Sequence, residues 1–99
     1  LYPPFGRLAA IVVTAHDRHA PEGYGRALAA AAPRDENVRI LGPAEAPIAV
    51  VRGRHRFRLL AKSARNFDLS AYVREWLEDA PKRKGDVRVE IDVDPQSFY

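Results

Sequence analysis

The sequence predicts a single α+β domain, with a four-stranded sheet that carries two helices on one of its faces. The chain has 99 residues, which is enough for one core of two packed layers but not for two lobes. Four segments are rich in β-branched residues or alternate between apolar and polar residues, as strands do. Two further segments repeat apolar residues at helical spacing. Their sequence order is β-α-β-β-α-β.

The composition excludes several classes of protein. The chain is 46% hydrophobic and 29% charged, as is common for globular domains. A helix that crosses a bilayer needs roughly 20 consecutive apolar residues, and no apolar run in this chain approaches that length. We therefore expect that the chain is not a membrane protein. The absence of cysteine excludes disulfides, thiolate metal sites and a cysteine nucleophile. Because the chain contains no Met and begins at Leu1, we expect a fragment of a longer protein, with a processed chain as the alternative.

Residues 1–7 are predicted to form an extended entry arm or linker, and residues 8–99 the domain. Pro3 and Pro4 favour extended backbone. We expect Tyr2 and Phe5 to pack against the domain, with a Pro-rich peptide ligand as the alternative. The apolar, β-branched run from Leu8 to Thr14 predicts an interior strand.

The first helix is predicted from Tyr24 to Ala32, with Leu28 on its apolar stripe. Its alanines favour a helix, whereas Gly23 and Gly25 each cost it roughly 1 kcal/mol. We therefore expect a loose first turn.

Neither candidate group of metal ligands meets the requirements of a metal site. His16, Asp17 and His19 precede the first helix, but a polar turn with no further ligand is typical of a solvated loop. Asp92 and Asp94 lie on the exposed face of an alternating strand, where carboxylates serve solubility. We expect no metal ion.

The segment from Val38 to Val51 is predicted to form an irregular edge strand, because proline lacks the N–H donor that an inner strand needs. Arg52 and Gly53 are predicted to form a hairpin turn, in which glycine adopts a positive φ where the turn requires it.

The next segment, which extends to Lys62, predicts a central strand that is strongly basic. Successive strand residues point to opposite faces. The residues predicted to face the helices are His55, Phe57, Leu59 and Ala61, and those predicted to face away are Arg54, Arg56, Arg58 and Lys62. His55 is expected to be a partly buried packing residue.

The second helix has the clearest pattern in the chain. Asp68 is a candidate N-cap, and Trp76 lies in the middle of the apolar stripe, so we interpret it as a core residue. That stripe comprises Leu69, Tyr72, Val73, Trp76 and Leu77. From Val87 to Pro95 the chain alternates strictly, which predicts the last strand with its β-branched residues facing inward.

Right-handed crossovers close this order into the ferredoxin-like arrangement, with both helices on one face. The arginines of the basic strand then lie on the uncovered face. Between Pro47 and Phe67 there is no Asp or Glu, and such a local excess of cations favours a polyanion as the partner. The predicted DNA-contacting residues are Arg52, Arg54, Arg56, Arg58, Lys62 and Arg65.

Four separated motifs resemble one protein family. They are YPPFGRL from Tyr2, LGPAEAPI from Leu41, RGRHRFRLL from Arg52 and DVDPQSF from Asp92. In this order they resemble the C-terminal domain of primosomal protein N′, a family of bacterial replication-restart DNA helicases. The resemblance extends from Tyr2 to Phe98, although residues 16–37 carry no motif of the family.

The resemblance implies a cytoplasmic, nucleoid-associated parent protein that uses ATP, magnesium and zinc. In such a parent, this domain is similar to a small-subunit ribosomal protein and helps to bind branched or single-stranded DNA. The implied partners are single-stranded-DNA-binding protein, other primosome proteins and the rest of the helicase chain. This chain contains no phosphate-binding loop of the GxxxxGK[ST] type and no CxxC pair. We therefore expect it to be non-catalytic, with no cofactor of its own.

Two other functions, besides DNA binding, are compatible with a domain of this fold and size. An acylphosphatase-like enzyme needs a glycine-rich anion loop after the first strand, whereas this chain has Thr14-Ala15-His16-Asp17-Arg18 there. An RNA-binding or purely protein-binding module remains open, because the phosphates of RNA and DNA present the same chemistry to an arginine.

Overall fold

The computed structural model describes residues 6–94. The predictions for Tyr2, Phe5 and the tail 96–99 lie outside the described residues. The elements are β1 (Arg7–Ala15), α1 (Ala20–Ala31), β2 (Val38–Val51), β3 (Arg54–Ser63), α2 (Leu69–Glu78) and β4 (Arg88–Val93). Their order confirms the predicted ferredoxin-like α+β fold. Within the described part, neither helix is long and apolar enough to span a membrane.

The sheet is antiparallel throughout, with the strand order β2-β3-β1-β4. The basic strand β3 therefore lies between β2 and β1, and β2 lies at an edge, as its prolines predict. Both helices pack on one face. On that face Ile11, Leu59 and Trp76 are fully buried, and Trp76 Nε1 donates a hydrogen bond to the carbonyl of Leu28 at 2.9 Å. Trp76 is thus a core residue, as predicted.

The second helix begins as the sequence predicts. The side chain of Asp68 accepts a hydrogen bond from the N–H of Ala71 at 3.0 Å, which caps the first turn.

The first helix begins earlier than predicted, at Ala20 instead of Tyr24. Pro21 lies in its first turn, where the missing proline N–H leaves no helical hydrogen bond unmade. Gly25 is buried against β2, and a Cβ there would lie 2.9 Å from Cβ of Pro43. The glycine therefore permits close packing of α1 on β2, and this packing offsets its low helix propensity.

The edge strand β2 contains two interruptions. Its register with β3 shifts between Leu41 and Ala44, and again between Glu45 and Val50. At the first shift Gly42 has φ of 97° and precedes a cis proline. At the second shift, the segment 46–49 lies opposite Arg56 alone. We refer to residues 46–49 as the β2 bulge.

The prediction that the β-branched residues of the last strand face inward is confirmed for Ile91, although this side chain is only partly covered. Ile91 pairs with the fully buried Ile11, so it lies on the helical face of the sheet. Its own side chain is nevertheless 46% exposed. The reason is that β4 is an edge strand, whereas α2 packs over its neighbour β1.

Candidate nucleic-acid interface

The face of the sheet opposite the helices carries most of the predicted DNA-contacting side chains; we call it the open face. Arg56, Arg58 and Lys62 pair with Thr14, Val12 and Leu8, respectively. Paired residues of antiparallel strands point to the same face. These β1 residues alternate with Ala9, Ile11 and Val13, which are buried under the helices. The three cations therefore lie on the open face, as predicted.

Arg39 is a fourth cation of this face and was not among the predicted residues. It pairs with Lys62 across β2 and β3 and is exposed. The sequence does contain a signal that places Arg39 on this face. Arg39 directly precedes Ile40, which packs on the core, and successive strand residues point to opposite faces. Its position beside Lys62 depends on the register of a bulged strand, and no sequence pattern specifies that register.

Arg54 differs from the other cations because its guanidinium is held inside the domain. Only 12% of its side chain is exposed. It donates to the hydroxyl and the carbonyl of Thr14, both at 3.0 Å, and to Oδ2 of Asp86 at 3.1 Å. It also donates to the carbonyl of Asp86 at 2.6 Å. Its DNA contact stays a prediction, but these partners already occupy its donors.

The two remaining predicted contacts lie at opposite ends of β3. Arg52 is exposed in the hairpin turn, where both it and Gly53 have positive φ. Arg65 is exposed in the loop between β3 and α2. A strand rises about 3.3 Å per residue, so the length of β3 places them roughly 30 Å apart. A ligand must therefore follow the strand to meet both.

The open face also carries acids, which the absence of Asp and Glu between Pro47 and Phe67 did not indicate. Glu90 pairs with Val12, and Asp92 pairs with Ala10. The charge thus changes sign across the middle of the face, from cations on β2 and β3 to Glu90 and Asp92 on β4, with small apolar side chains of β1 between them. The first residue of β4, Arg88, pairs with Thr14 and adds a cation at the end of this strand. We call the cationic part, formed by Arg39, Arg56, Arg58 and Lys62, the basic band.

A hollow of about 460 Å³ lies on the open face between the basic band and the carboxylates. The β2 bulge forms part of its wall, where Nη1 of Arg56 donates to the carbonyl of Ile48 at 2.6 Å. Ala10 and Ala46 line the hollow and are only 8% and 5% exposed. The bulge thus forms one side of a recess on the open face.

Two carboxylates at the margins of the sheet are stabilised in their charged form. Hydrogen bonds from the ring and backbone N–H of His16, together with the charge of Arg54, lower the pKa of Asp86. Hydrogen bonds from Arg7 and the backbone N–H of Leu8 lower the pKa of Asp94, and Arg7 Nη2 lies 2.8 Å from its Oδ2. Both carboxylates connect strand ends to neighbouring segments.

These shifts predict a loss of stability in acid. Because both folded-state pKa values lie below the ordinary value of 3.8, the stabilisation is fully present above that pH and is lost as the pH falls through the lowered values. We expect the urea midpoint of an Asp86→Asn/Asp94→Asn variant to depend less on pH below about 4 than that of the wild type. Exposed Asp79 provides the control, and an equal effect of Asp79→Asn would contradict the assignment.

Among residues 6–94, no three His, Asp or Glu side chains lie close enough together to hold a metal ion. His16 of the predicted solvated loop contacts Asp86 through its Nδ1. This contact joins the loop after β1 to the turn before β4.

Comparison with known proteins identifies the family. Residues 1–96 match the family model described as the primosomal protein N C-terminal domain. Replication restart protein PriA of Rickettsia felis is 33% identical over 97 residues, which cover 98% of this chain and 15% of the relative. Probable replication restart protein PriA of Deinococcus radiodurans is 41% identical over 98 residues, which cover 97% of this chain and 10% of the relative. The chain thus spans a small part of these relatives, and it belongs to the family of primosomal protein N C-terminal domains.

Proposed function

We propose that this domain binds DNA through the basic band and helps a replication-restart helicase to engage branched or single-stranded DNA. The observation that supports this most directly is the convergence of Arg39, Arg58 and Lys62 on neighbouring positions of one open sheet face. Cations arranged in this way neutralise successive phosphates. The family supplies the biological context, because the relatives are replication restart proteins.

The domain acts in this proposal as a non-catalytic helper. ATP hydrolysis, with its magnesium, and the zinc site belong to other parts of the parent chain. The basic band itself is not expected to distinguish sequences, since arginine contacts to phosphates position a protein without reading bases. The same domain docks single-stranded-DNA-binding protein and other primosome proteins, and the parent acts in the bacterial cytoplasm at the nucleoid.

Binding to a labelled fork DNA is expected to weaken steeply with salt. If about four cations meet phosphates, the log-log slope is near −3.6, and affinity falls roughly a hundredfold between 50 and 200 mM salt. The dissociation constant of the domain alone is expected to lie at roughly 10⁻⁴ to 10⁻⁶ M. Fluorescence anisotropy at several salt concentrations measures both quantities.

An Arg39→Ala/Arg58→Ala variant tests whether DNA meets the basic band. Loss of two phosphate contacts is expected to reduce the steepness of the slope by about 2. The matched control is Arg34→Ala/Arg74→Ala, which removes the same charge from exposed positions outside the sheet. If both variants weaken binding equally, net charge alone explains the affinity and the basic band is not the site. If the wild type does not bind at low salt, the DNA-binding proposal fails and a protein-docking role is favoured instead.

A further inference from the structure

The hollow on the open face has two walls of opposite charge. Arg56 and Arg58 line one side, and Glu90 and Asp92 line the other. Arg58 and Glu90 are both paired with Val12, so two strand spacings separate them, or roughly 10 Å between their backbones. Within residues 6–94, no hydrogen bond or ion pair joins the side chains of Arg58, Glu90 or Asp92 to another group. These charges therefore remain available to a ligand.

The two walls select different parts of a nucleotide. A phosphate is attracted to the arginine wall and repelled by the carboxylates. A base carries no charge, and an exocyclic amino group donates hydrogen bonds that Asp and Glu accept, as they do from N4 of cytosine. Val12 and Ala10 lie between the walls and present an apolar floor to the flat face of a base.

The bulge favours an unpaired strand over a duplex. Because the β2 bulge stands beside the recess, a base must leave its stack to reach the floor between the walls. Surfaces that bind single-stranded nucleic acid combine a row of cations, which contacts the phosphates, with side chains on which the bases stack.

The volume of the hollow, about 460 Å³, also lies within the range of about 300–1,000 Å³ that is usual for ligand pockets.

We propose that this hollow is a base subsite for single-stranded DNA, in which an unpaired cytosine donates its amino group to Glu90 or Asp92 while its phosphate binds Arg58. The inference rests on the proposed DNA-binding function and extends it, since it assigns the domain a preference among bases. Thymine carries a carbonyl in place of the amino group and offers the carboxylates an acceptor where they need a donor.

The experiment compares two labelled strands of equal length, oligo(dC) and oligo(dT), by fluorescence anisotropy at neutral pH and low salt. The two pyrimidines have similar size, so differences in packing are small. We expect the wild-type chain to bind oligo(dC) about fivefold more tightly than oligo(dT), as one charge-assisted hydrogen bond at a partly exposed site predicts.

A Glu90→Ala/Asp92→Ala variant separates base recognition from charge. Removing two carboxylates is expected to strengthen binding of both strands, because it removes repulsion of the phosphates, and to bring the dC/dT ratio close to one. The matched control is Glu36→Ala/Glu75→Ala, which removes the same charge from exposed positions outside the open face. We expect this control to keep the ratio. Circular dichroism verifies that both variants are folded.

The outcomes distinguish this inference from the function on which it rests. A wild-type ratio near one, with both strands bound in a salt-dependent way, overturns the base subsite and leaves the basic band intact. A ratio that survives in the Glu90/Asp92 variant also overturns it, because base preference then arises elsewhere. Absence of binding to either strand overturns the subsite, and it overturns the proposed function as well if the labelled fork DNA is also not bound.

Discussion

Replacement of Gly42 by alanine is expected to lower the free energy of unfolding by about 3 kcal/mol, the combined cost of backbone strain and overpacking. Gly42 has φ of 97°, which L-residues avoid. A Cβ there would lie 2.6 Å from the carbonyl oxygen of Arg58 and 3.3 Å from Cα of Leu59. Both neighbours belong to the backbone of the central strand, so neither moves without disturbing the sheet.

Urea denaturation of the variant measures this effect, and Gly23→Ala provides a control of opposite sign. Gly23 lies within α1, and nothing lies within 4 Å of its expected Cβ. Alanine at position 23 is expected to raise the free energy of unfolding by about 0.5–1 kcal/mol, because glycine is less favourable than alanine within a helix. If Gly42→Ala is as well tolerated as Gly23→Ala, then β2 and β3 do not approach each other as described.

Replacement of Arg54 by alanine is expected to lower the free energy of unfolding by about 2 kcal/mol, because several charge-assisted hydrogen bonds are lost at once. The change leaves the hydroxyl and carbonyl of Thr14 without this donor, and Thr14 is only 5% exposed. It also releases Asp86 in the turn before β4. An Arg54→Lys variant is expected to recover only part of the loss, since an ammonium lacks the planar fork that reaches both partners.

Exposed Arg88 on β4 is the matched control, because its side chain makes no hydrogen bond or ion pair within the described part of the chain. Arg88→Ala is expected to change stability by less than about 0.5 kcal/mol. Equal effects of the two substitutions would contradict the internal position of Arg54. Loss of DNA binding in an Arg54 variant must therefore be compared with its stability before a DNA contact is inferred.

The basic band shows how far local patterns predict a site. Alternation along one strand was sufficient to assign Arg56, Arg58 and Lys62 to one face, because the side-chain period of a strand is two residues. Alternation also placed Asp92 on the exposed face of its strand, but it did not show which residues of other strands lie beside one another. Arg39 joins the band through the register of a bulged edge strand. Glu90 and Asp92 reach the same face from a strand roughly thirty residues further along the chain.

The sequence by itself determined the order of elements, the inward side of β3 and β4, the Asp68 cap and Trp76 as a core residue, because these depend on neighbours a few residues apart. Tertiary structure alone decided the close packing of α1 on β2, the exposure of Ile91 and the internal position of Arg54. Each of these depends on a contact between distant segments: Gly25 with Pro43, α2 with β1, and Arg54 with Asp86. Such contacts arise from packing and charge pairing after the chain has folded, so no local pattern records them.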